Sequence, residues 1–409
     1  MRILFIHQNF PGQFKFLAPA LALRGHEVMA LTMQEIPSGN LHGVKVVRYA
    51  NQRGTTPNVH PWVADFETKI IRAEVCFRAA LQIKQQGFTP DVIIAHHGWG
   101  ESLFLKDVWS SAKLGIYCEY FYQMSGADVG FDSEFPVSDP ADVCRVRLKN
   151  INNVLHLEIA DGGISPTRWQ AETFPANFRK NIKVVHDGID TNVMRPNNSA
   201  RLQLDKESEV TVDDEIITFV NRDLEPYRGY HIFMRSLPSL LKKRSKAKVL
   251  IVGGDGVSYG AAPPSSTWRD IFADEVKSKI SQDDWDRVHF LGRIPYDKFT
   301  ALMQVSSVHV YLSYPFVLSW SLLEAMSVGC TIVASDTPPV REAIQDGETG
   351  VLVDFFNSEQ LASEVDRLLS DSDERLRLGG HAREWALRNY DLKRVCLPEQ
   401  IRWVEQLAG

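Results

Sequence analysis

The sequence predicts an α/β protein built from two Rossmann-like, doubly wound domains. Three observations carry this. A strand, a loop, a helix and a second strand open the chain, and the same order restarts near residue 215. Most candidate strands are short and apolar throughout rather than alternating, as parallel strands covered on both faces are. The 409 residues exceed what one core ordinarily organises, at roughly 100–200 residues per domain. The boundaries fall at 1–190 for the first domain, 191–386 for the second and 387–409 for a terminal helix.

In the first domain, residues 3–6 read as a strand, 10–13 as a glycine-containing loop, and 27–31 as the strand after an amphipathic helix. No G-x-G-x-x-G follows the first strand, so the nicotinamide fingerprint is missing where it should lie. Gly12 stands alone, either in an ordinary turn or where backbone comes close to a ligand. Residues 45–48 suggest a strand, and 55–65 a long excursion carrying His60, Pro61 and Trp62. A helix over 66–86 has an apolar stripe (Ile70, Ile71, Val75, Phe77, Ala80, Leu81). Its outer face carries Lys69, Arg72, Arg78 and Lys84, solvated or resting on a membrane surface. The strand 91–95 ends at His96 and His97, and the strand 115–119 ends at Glu119, followed by a loop over 126–139. Sites in α/β proteins gather at such carboxyl ends. His97 and Glu119 are therefore catalytic candidates, with a structural histidine as the alternative. A helix at 153–160, a strand at 182–185 and a glycine turn at 186–190 complete the domain.

The second domain starts with strand 215–220. Arg222 stands at its end, and Arg228 follows six residues later, before Gly229 and a helix. Two guanidinium groups on one strand-to-helix loop suit a diphosphate; ion pairs with Asp223 or Glu225 are the alternative. The basic run Lys242 to Lys248 reads as a solvated helix end. Strand 249–252 leads into GGDGVSYG, where Gly254 would let a ligand approach backbone. Strand 289–292 leads to Arg293 and Ile294. The densest stretch is YPFVLSWSLLEAMSVGCTIVASDTPPVREAI, residues 314–344, entered by strand 308–312. Ser319 or Ser321 caps a helix carrying Leu322, Leu323, Ala325, Met326 and Val328, Gly329 ends it, and 331–334 form the next strand. The N–H groups of Ser319, Trp320 and Ser321 and the helix dipole face an anion. Glu324, among apolar neighbours within the first turn or so, accepts two ribose hydroxyls, or else complements the dipole or caps with Ser321. Pro338 and Pro339 read as a turn, with Glu342 capping or pairing locally after it.

Apolar content of 44% and charged content of 23% are those of a folded globular chain. The formal charge of −6 falls wholly on the residues after 190, because the first 190 hold equal numbers of acids and bases, and neither part resembles a nucleic-acid binder. Five widely spaced cysteines suggest neither a disulfide framework nor a zinc site. The first apolar run is too short for a signal peptide and none spans a bilayer, so the expected location is cytoplasmic, with peripheral contact at the inner membrane face as the alternative.

With LLEAM at 322–326, the small-residue strand behind it and the glycine turn HDGID at 186–190, the chain resembles the retaining family-4 glycosyltransferases of bacterial polysaccharide and glycolipid synthesis. The resemblance implies the GT-B fold: two Rossmann-like domains facing a central cleft, with the C-terminal helix crossing back to the first. It implies a retaining hexosyltransferase that moves a sugar from a nucleotide-sugar, most commonly a UDP-sugar, to a saccharide or lipid-linked saccharide acceptor without cofactor or metal. Glu324 matches the glutamate that holds the nucleotide ribose. Arg222 and Arg228 match the diphosphate pair, Arg293 and Ile294 the base-holding segment, and Gly12 a loop near the diphosphate. Two departures stand out: Phe316 where the family has its first glutamate, and EYFYQM from Glu119 where it has a histidine near the reacting sugar. Ser319 also replaces a usual glycine. Asp371-Ser372-Asp373 spells a metal-binding D-x-D but reads as a helix start. An inactive nucleotide-sugar-binding subunit, or another GT-B enzyme such as an epimerase or a phosphorylase, are the alternatives.

Overall fold

The computed structural model describes residues 1–35, 39–137, 139–206 and 208–409. Ser138, in the loop expected over 126–139, lies outside the described residues. Contacts divide the chain into two units, Met1–Gly188 with Lys393–Gly409, and Ile189–Leu392.

The first unit carries β1 (Arg2–Ile6), β2 (Glu27–Thr32), β3 (Asn40–Leu41), β4 (Val44–Arg48), β5 (Val92–Ala95), β6 (Lys113–Tyr117), β7 (Gly162–Ser165) and β8 (Ile182–Val184). Their order is β3-β4-β2-β1-β5-β6-β7-β8, parallel except for β3 against β4. The chain runs outward from β1 through β2 to β4 and then returns to β5 on the other side of β1. This reversal opens a crevice at the carboxyl ends of β1 and β5, where doubly wound sheets bind ligands.

Alternate residues of β1 enter two cores. Leu4 and Ile6 pack with Ile93 and with Cys76 and Ala80 of the helix Ala64–Gln85. Ile3 and Phe5 pack with Ile94, Leu21, Ile401 and Val404. Both faces are covered, so the strand shows no alternation in sequence; each large apolar side chain buried this way contributes about 1.5–3 kcal/mol. The helix Leu397–Ala408 lies close on β6: a Cβ at Gly115 would meet Trp403 and Leu407 at 2.7 Å.

Three expectations for this unit need correction. Strand β6 stops at Tyr117, two residues before Glu119. On the helix Ala64–Gln85, Lys69 is not on a charged outer face: it is buried, with its Nζ 2.8 Å from Asp65, while Leu81 of the supposed stripe is exposed. The continuous terminal helix expected over 387–409 is three elements. Residues 387–389 finish the helix Ser372–Asn389, a π-helical turn follows at Leu392–Cys396, and the last helix begins at Leu397.

The second unit has a small hairpin, β9 (Arg201–Gln203) with β10 (Glu209–Thr211), and a parallel sheet. The sheet contains β11 (Ile216–Asp223), β12 (Lys248–Gly254), β13 (Val288–Gly292), β14 (Val308–Tyr311), β15 (Ile332–Ser335) and β16 (Val351–Val353), in the order β13-β12-β11-β14-β15-β16. The strand order reverses again, here between β11 and β14. Strand β11 runs three residues past its expected end and includes Arg222.

The helix Trp320–Val328 starts at Ser319, whose side chain accepts the Ser321 N–H, and ends at Gly329 with φ +87°. Its residues Leu322, Leu323, Ala325, Met326 and Val328 are buried, which accounts for a helix apolar nearly all round. Pro338 and Pro339 do not form a turn; they begin the helix Pro338–Ala343, where a missing N–H costs nothing. Asp371 caps the helix Ser372–Asn389 by accepting the Glu374 N–H at 3.0 Å, as its sequence suggested. Within the basic run, Arg244 pairs with Asp366 rather than being merely solvated. Among the described residues, no helix is long and apolar enough to cross a membrane.

Candidate functional site

At the reversal point of the second unit, the two arginines have different environments. Arg222 is exposed at the end of β11. Arg228 is buried: its guanidinium donates to Ser313 Oγ at 2.8 Å and the Val317 carbonyl at 2.9 Å, and lies 4.9 Å over the Tyr259 ring. Burial works against its charge, but Tyr311, Tyr259 and Glu225 outweigh it and raise the pKa. The expected pair of guanidinium groups held out to a ligand is thus not what the fold presents; Arg228 braces the segment after β14.

The neighbouring acids are also paired within the chain. Asp223 takes Arg293 at 2.7 Å and the Ser258 hydroxyl; burial alone would raise its pKa, but these partners hold it below the usual carboxylate range. This ion pair explains Gly254. A Cβ there would stand 2.5 Å from Asp223 Oδ1 and 2.6 Å from Arg293 Nε, so the glycine makes room for these side chains. Glu225 is fully buried and accepts the N–H groups of Ser258 (3.2 Å), Tyr259 (3.2 Å) and Gly260 (3.0 Å). Burial still leaves its pKa raised. The glycine-rich loop therefore already holds an anion, one supplied by its own chain.

Glu324 is half-buried in the second turn of its helix, where Tyr296 donates to Oε1 at 2.7 Å. The helix is capped by Ser319 rather than Ser321, and a capping-box partner of Ser319 would fall at Leu322. Trp320 is exposed, the Ser319 N–H donates to the Tyr311 hydroxyl at 2.9 Å, and Ile294 is half-buried. Phe316 is buried, edge-on to Tyr227 with ring centroids 5.7 Å apart and 5.2 Å from Tyr259. Apolar packing thus fills the position where the resemblance leads one to look for a carboxylate.

In the first unit, His97 is not a free ring at a strand end. It is buried, with Nδ1 3.0 Å from the Tyr117 carbonyl and Nε2 3.0 Å from Asn153 Oδ1. Burial and the nearby His156 hold its pKa well below normal, so the ring is neutral and held at both nitrogens. Its neighbour His96, which the sequence reading passed over, is 1% exposed. Trp99 stacks on its ring at 4.2 Å and Tyr117 at 5.3 Å. Its Nε2 lies 3.6 Å from Oε2 of Glu119, whose side chain is 40% exposed, and neither ring nitrogen has a hydrogen-bond partner among the described residues. His7, at the end of β1, is held by Gln13 at 2.7 Å and accepts the Asn9 N–H; burial and His96 push its pKa down to about 3. Gly12 belongs to this packing. A Cβ there would fall 2.2 Å from His7 Nε2, and φ is +45°, so the glycine makes room for the imidazole. Glu101 is fully buried, its side-chain oxygens have no hydrogen-bond partner among the described residues, and burial pushes its pKa up to about 7.

Two family descriptions match the chain, "Glycosyl transferase family 4 group" over residues 24–194 and "Glycosyl transferases group 1" over 201–385. The sequence is similar to a D-inositol 3-phosphate glycosyltransferase of Corynebacterium efficiens, 26% identical over 75% of this chain and 69% of that protein. It is also similar to spore coat protein SA of Bacillus subtilis, 28% identical over 57% of this chain and 62% of that one. A GDP-mannose-dependent alpha-(1-6)-phosphatidylinositol monomannoside mannosyltransferase of Mycobacterium tuberculosis is 25% identical over 50% of this chain and 51% of its own length. Among solved structures, sucrose-phosphate synthase of Thermosynechococcus elongatus superposes with TM-score 0.73 at 18% identity, covering 100% of this chain and 99% of that one. Anabaena HepE in complex with UDP superposes with TM-score 0.66 at 17% identity, covering 100% of both chains. Matching descriptions on both units, with solved counterparts of the whole fold, place the chain among the family-4 glycosyltransferases of GT-B fold.

Proposed function

We propose that this glycosyltransferase is a retaining hexosyltransferase that takes its sugar from a nucleotide-sugar, read as a UDP-sugar, and gives it to a hydroxyl of a saccharide or lipid-linked saccharide. The observation that carries the reading is Glu324, a half-buried carboxylate fixed by the Tyr296 hydroxyl at 2.7 Å, on a helix whose N-terminus follows β14. A carboxylate aimed in this way accepts the two hydroxyls of a ribose, and the helix N-terminus favours the diphosphate beside it. The bond between the anomeric carbon and the diphosphate breaks with its electron pair leaving on the diphosphate. The acceptor oxygen bonds to the same carbon from the same face, and its proton passes to the departing phosphate oxygen. The helix dipole and Arg222 stabilise the charge that develops there, which leaves no step for a metal ion.

The relatives support the donor class without deciding the base. HepE was crystallised with UDP-glucose, and the mycobacterial relative is named for GDP-mannose. Thermal shift against UDP, GDP, ADP, UDP-glucose and GDP-mannose tests the reading. A ligand present at a hundred times its dissociation constant stabilises the native state by about 2.7 kcal/mol, and no shift with any nucleotide would refute it. Phe316 favours a second reading, a subunit that binds nucleotide-sugar without turnover; a thermal shift with no transfer to any acceptor would select it.

A further inference from the structure

Four buried histidines of the first unit can be compared directly. The rings of His7, His97 and His156 each have both nitrogens within hydrogen-bond distance of a partner. His96 is as deeply buried, yet among the described residues neither nitrogen has one. A buried polar group without a partner costs about 1–3 kcal/mol, so an imidazole that only filled space would be better replaced by an apolar ring. Its aim is also fixed. Trp99 and Tyr117 stack on the ring, and a Cβ at Gly98 would lie 3.0 Å from Cε1 and 3.3 Å from Nδ1, so that edge rests against backbone. The other edge points Nε2 at Glu119 Oε2, 3.6 Å away. Both residues stand at carboxyl ends, of β5 and β6, beside the point where the strand order reverses.

A separation of 3.6 Å is too long for a hydrogen bond between these atoms. The Glu119 side chain is 40% exposed, and the separation leaves room for one oxygen about 2.8 Å from both, off the line between them. The carboxylate accepts only, and the imidazole donates from Nε2 in the tautomer that carries its proton there. The group that fits between them must donate to one and accept from the other, which is what an alcohol hydroxyl does.

We propose that His96 and Glu119 together hold one hydroxyl of a polyol ligand, a sugar or a cyclitol, at the reversal point of the first unit. The assignment rests on the reading that the second unit takes the nucleotide-sugar, which leaves the first for the acceptor. The functional histidine of this segment is then His96 rather than His97.

The test uses the full chain labelled with [15N]histidine, in the presence of UDP or GDP, titrated with methyl α-D-glucopyranoside, methyl α-D-mannopyranoside and myo-inositol at millimolar concentrations. At least one polyol should move the His96 side-chain resonances while leaving those of His97 in place. Glu119→Ala should weaken that polyol about tenfold, and Glu119→Gln, which keeps an accepting oxygen, by less. His96→Phe, which preserves the stack on Trp99, should weaken it as much as Glu119→Ala. Nucleotide affinity, measured by calorimetry on the same samples, should stay within twofold in all three. If His96→Phe does not fold, the two Glu119 variants decide the matter. If no polyol moves His96, or if Glu119→Ala binds as tightly as the native chain, the pair holds water only and the proposal falls. Loss of nucleotide binding in the native chain would instead strike the donor reading and leave the polyol result to be judged on its own.

Discussion

Glu101→Gln isolates a single buried carboxyl. Glu101 is 0% exposed, its side-chain oxygens have no hydrogen-bond partner among the described residues, and its pKa rises from 4.5 to about 7 through burial. The folded state therefore prefers the protonated form. In the unfolded chain the group ionises near pH 4.5, so between 4.5 and about 7 unfolding releases a proton and stability falls as pH rises; above that it levels off. The span from 4.5 to about 7 corresponds to about 3 kcal/mol, and full burial calls for no discount by solvent screening. Gln has the same shape and no charge. At pH 5 the variant should be more stable than the native protein by only about 1 kcal/mol, and at pH 8 by about 3 kcal/mol, or roughly 6–12 °C for a unit of this size. Urea unfolding and thermal melts at both pH values measure this. A difference that is the same at pH 5 and pH 8 would show that the carboxyl ionises as readily in the folded state as in the unfolded chain, because water already solvates it, and would refute the reasoning.

Tyr296→Phe removes one hydroxyl, leaves Glu324 without that donor, and should weaken nucleoside diphosphate binding about three- to tenfold without lowering the melting temperature; unchanged affinity by calorimetry would take Glu324 out of the ribose site. Arg228→Ala should destabilise the second unit by about 3–5 kcal/mol, because Ser313, Val317 and Glu225 lose a buried partner, whereas Arg222→Ala should leave the melting temperature unchanged and weaken diphosphate binding about tenfold. Gly12→Ala should cost more than about 1 kcal/mol, since the new methyl must displace His7 and adopt a positive φ; a neutral melt would show that the loop yields freely. Transfer activity should survive excess EDTA, and loss restored by magnesium or manganese would assign the charge stabilisation to an ion.

The sheets and helices were legible because their signals are local. The apolar runs at β1, β5, β11 and β14, the serine before Trp320 and the glycine after Val328 each mark one element by its own chemistry. What sequence could not give was the reason for each polar residue. Gly12 and Gly254 read as openings for a ligand, yet the side chains that need the space, His7 in one case and Asp223 with Arg293 in the other, come from residues 5 and 31–39 positions away. His96 and His97 are adjacent letters of the same type. Their roles diverge only because one ring faces a carbonyl and an asparagine while the other faces an aromatic stack and Glu119. Tyr296 carries no motif at all, and only the turn after β13 brings its hydroxyl to Glu324.

The pairing of Glu225 with the Ser258 to Gly260 amides, and of Asp223 with Arg293, makes the strand tips of the second unit behave like a loaded ion exchanger. An anion that engages Arg293 does not neutralise a bare cation; it takes the place of a carboxylate, and the exposed guanidinium must turn away from Asp223, which stays buried against the Ser258 hydroxyl. Such an exchange changes the number of screened charges little, so the affinity should depend only weakly on ionic strength. Selectivity then rests less on attraction from a distance than on which anion satisfies the same donors at closer range, which favours a phosphate oxygen over a side-chain carboxylate only when the rest of the ligand is in place.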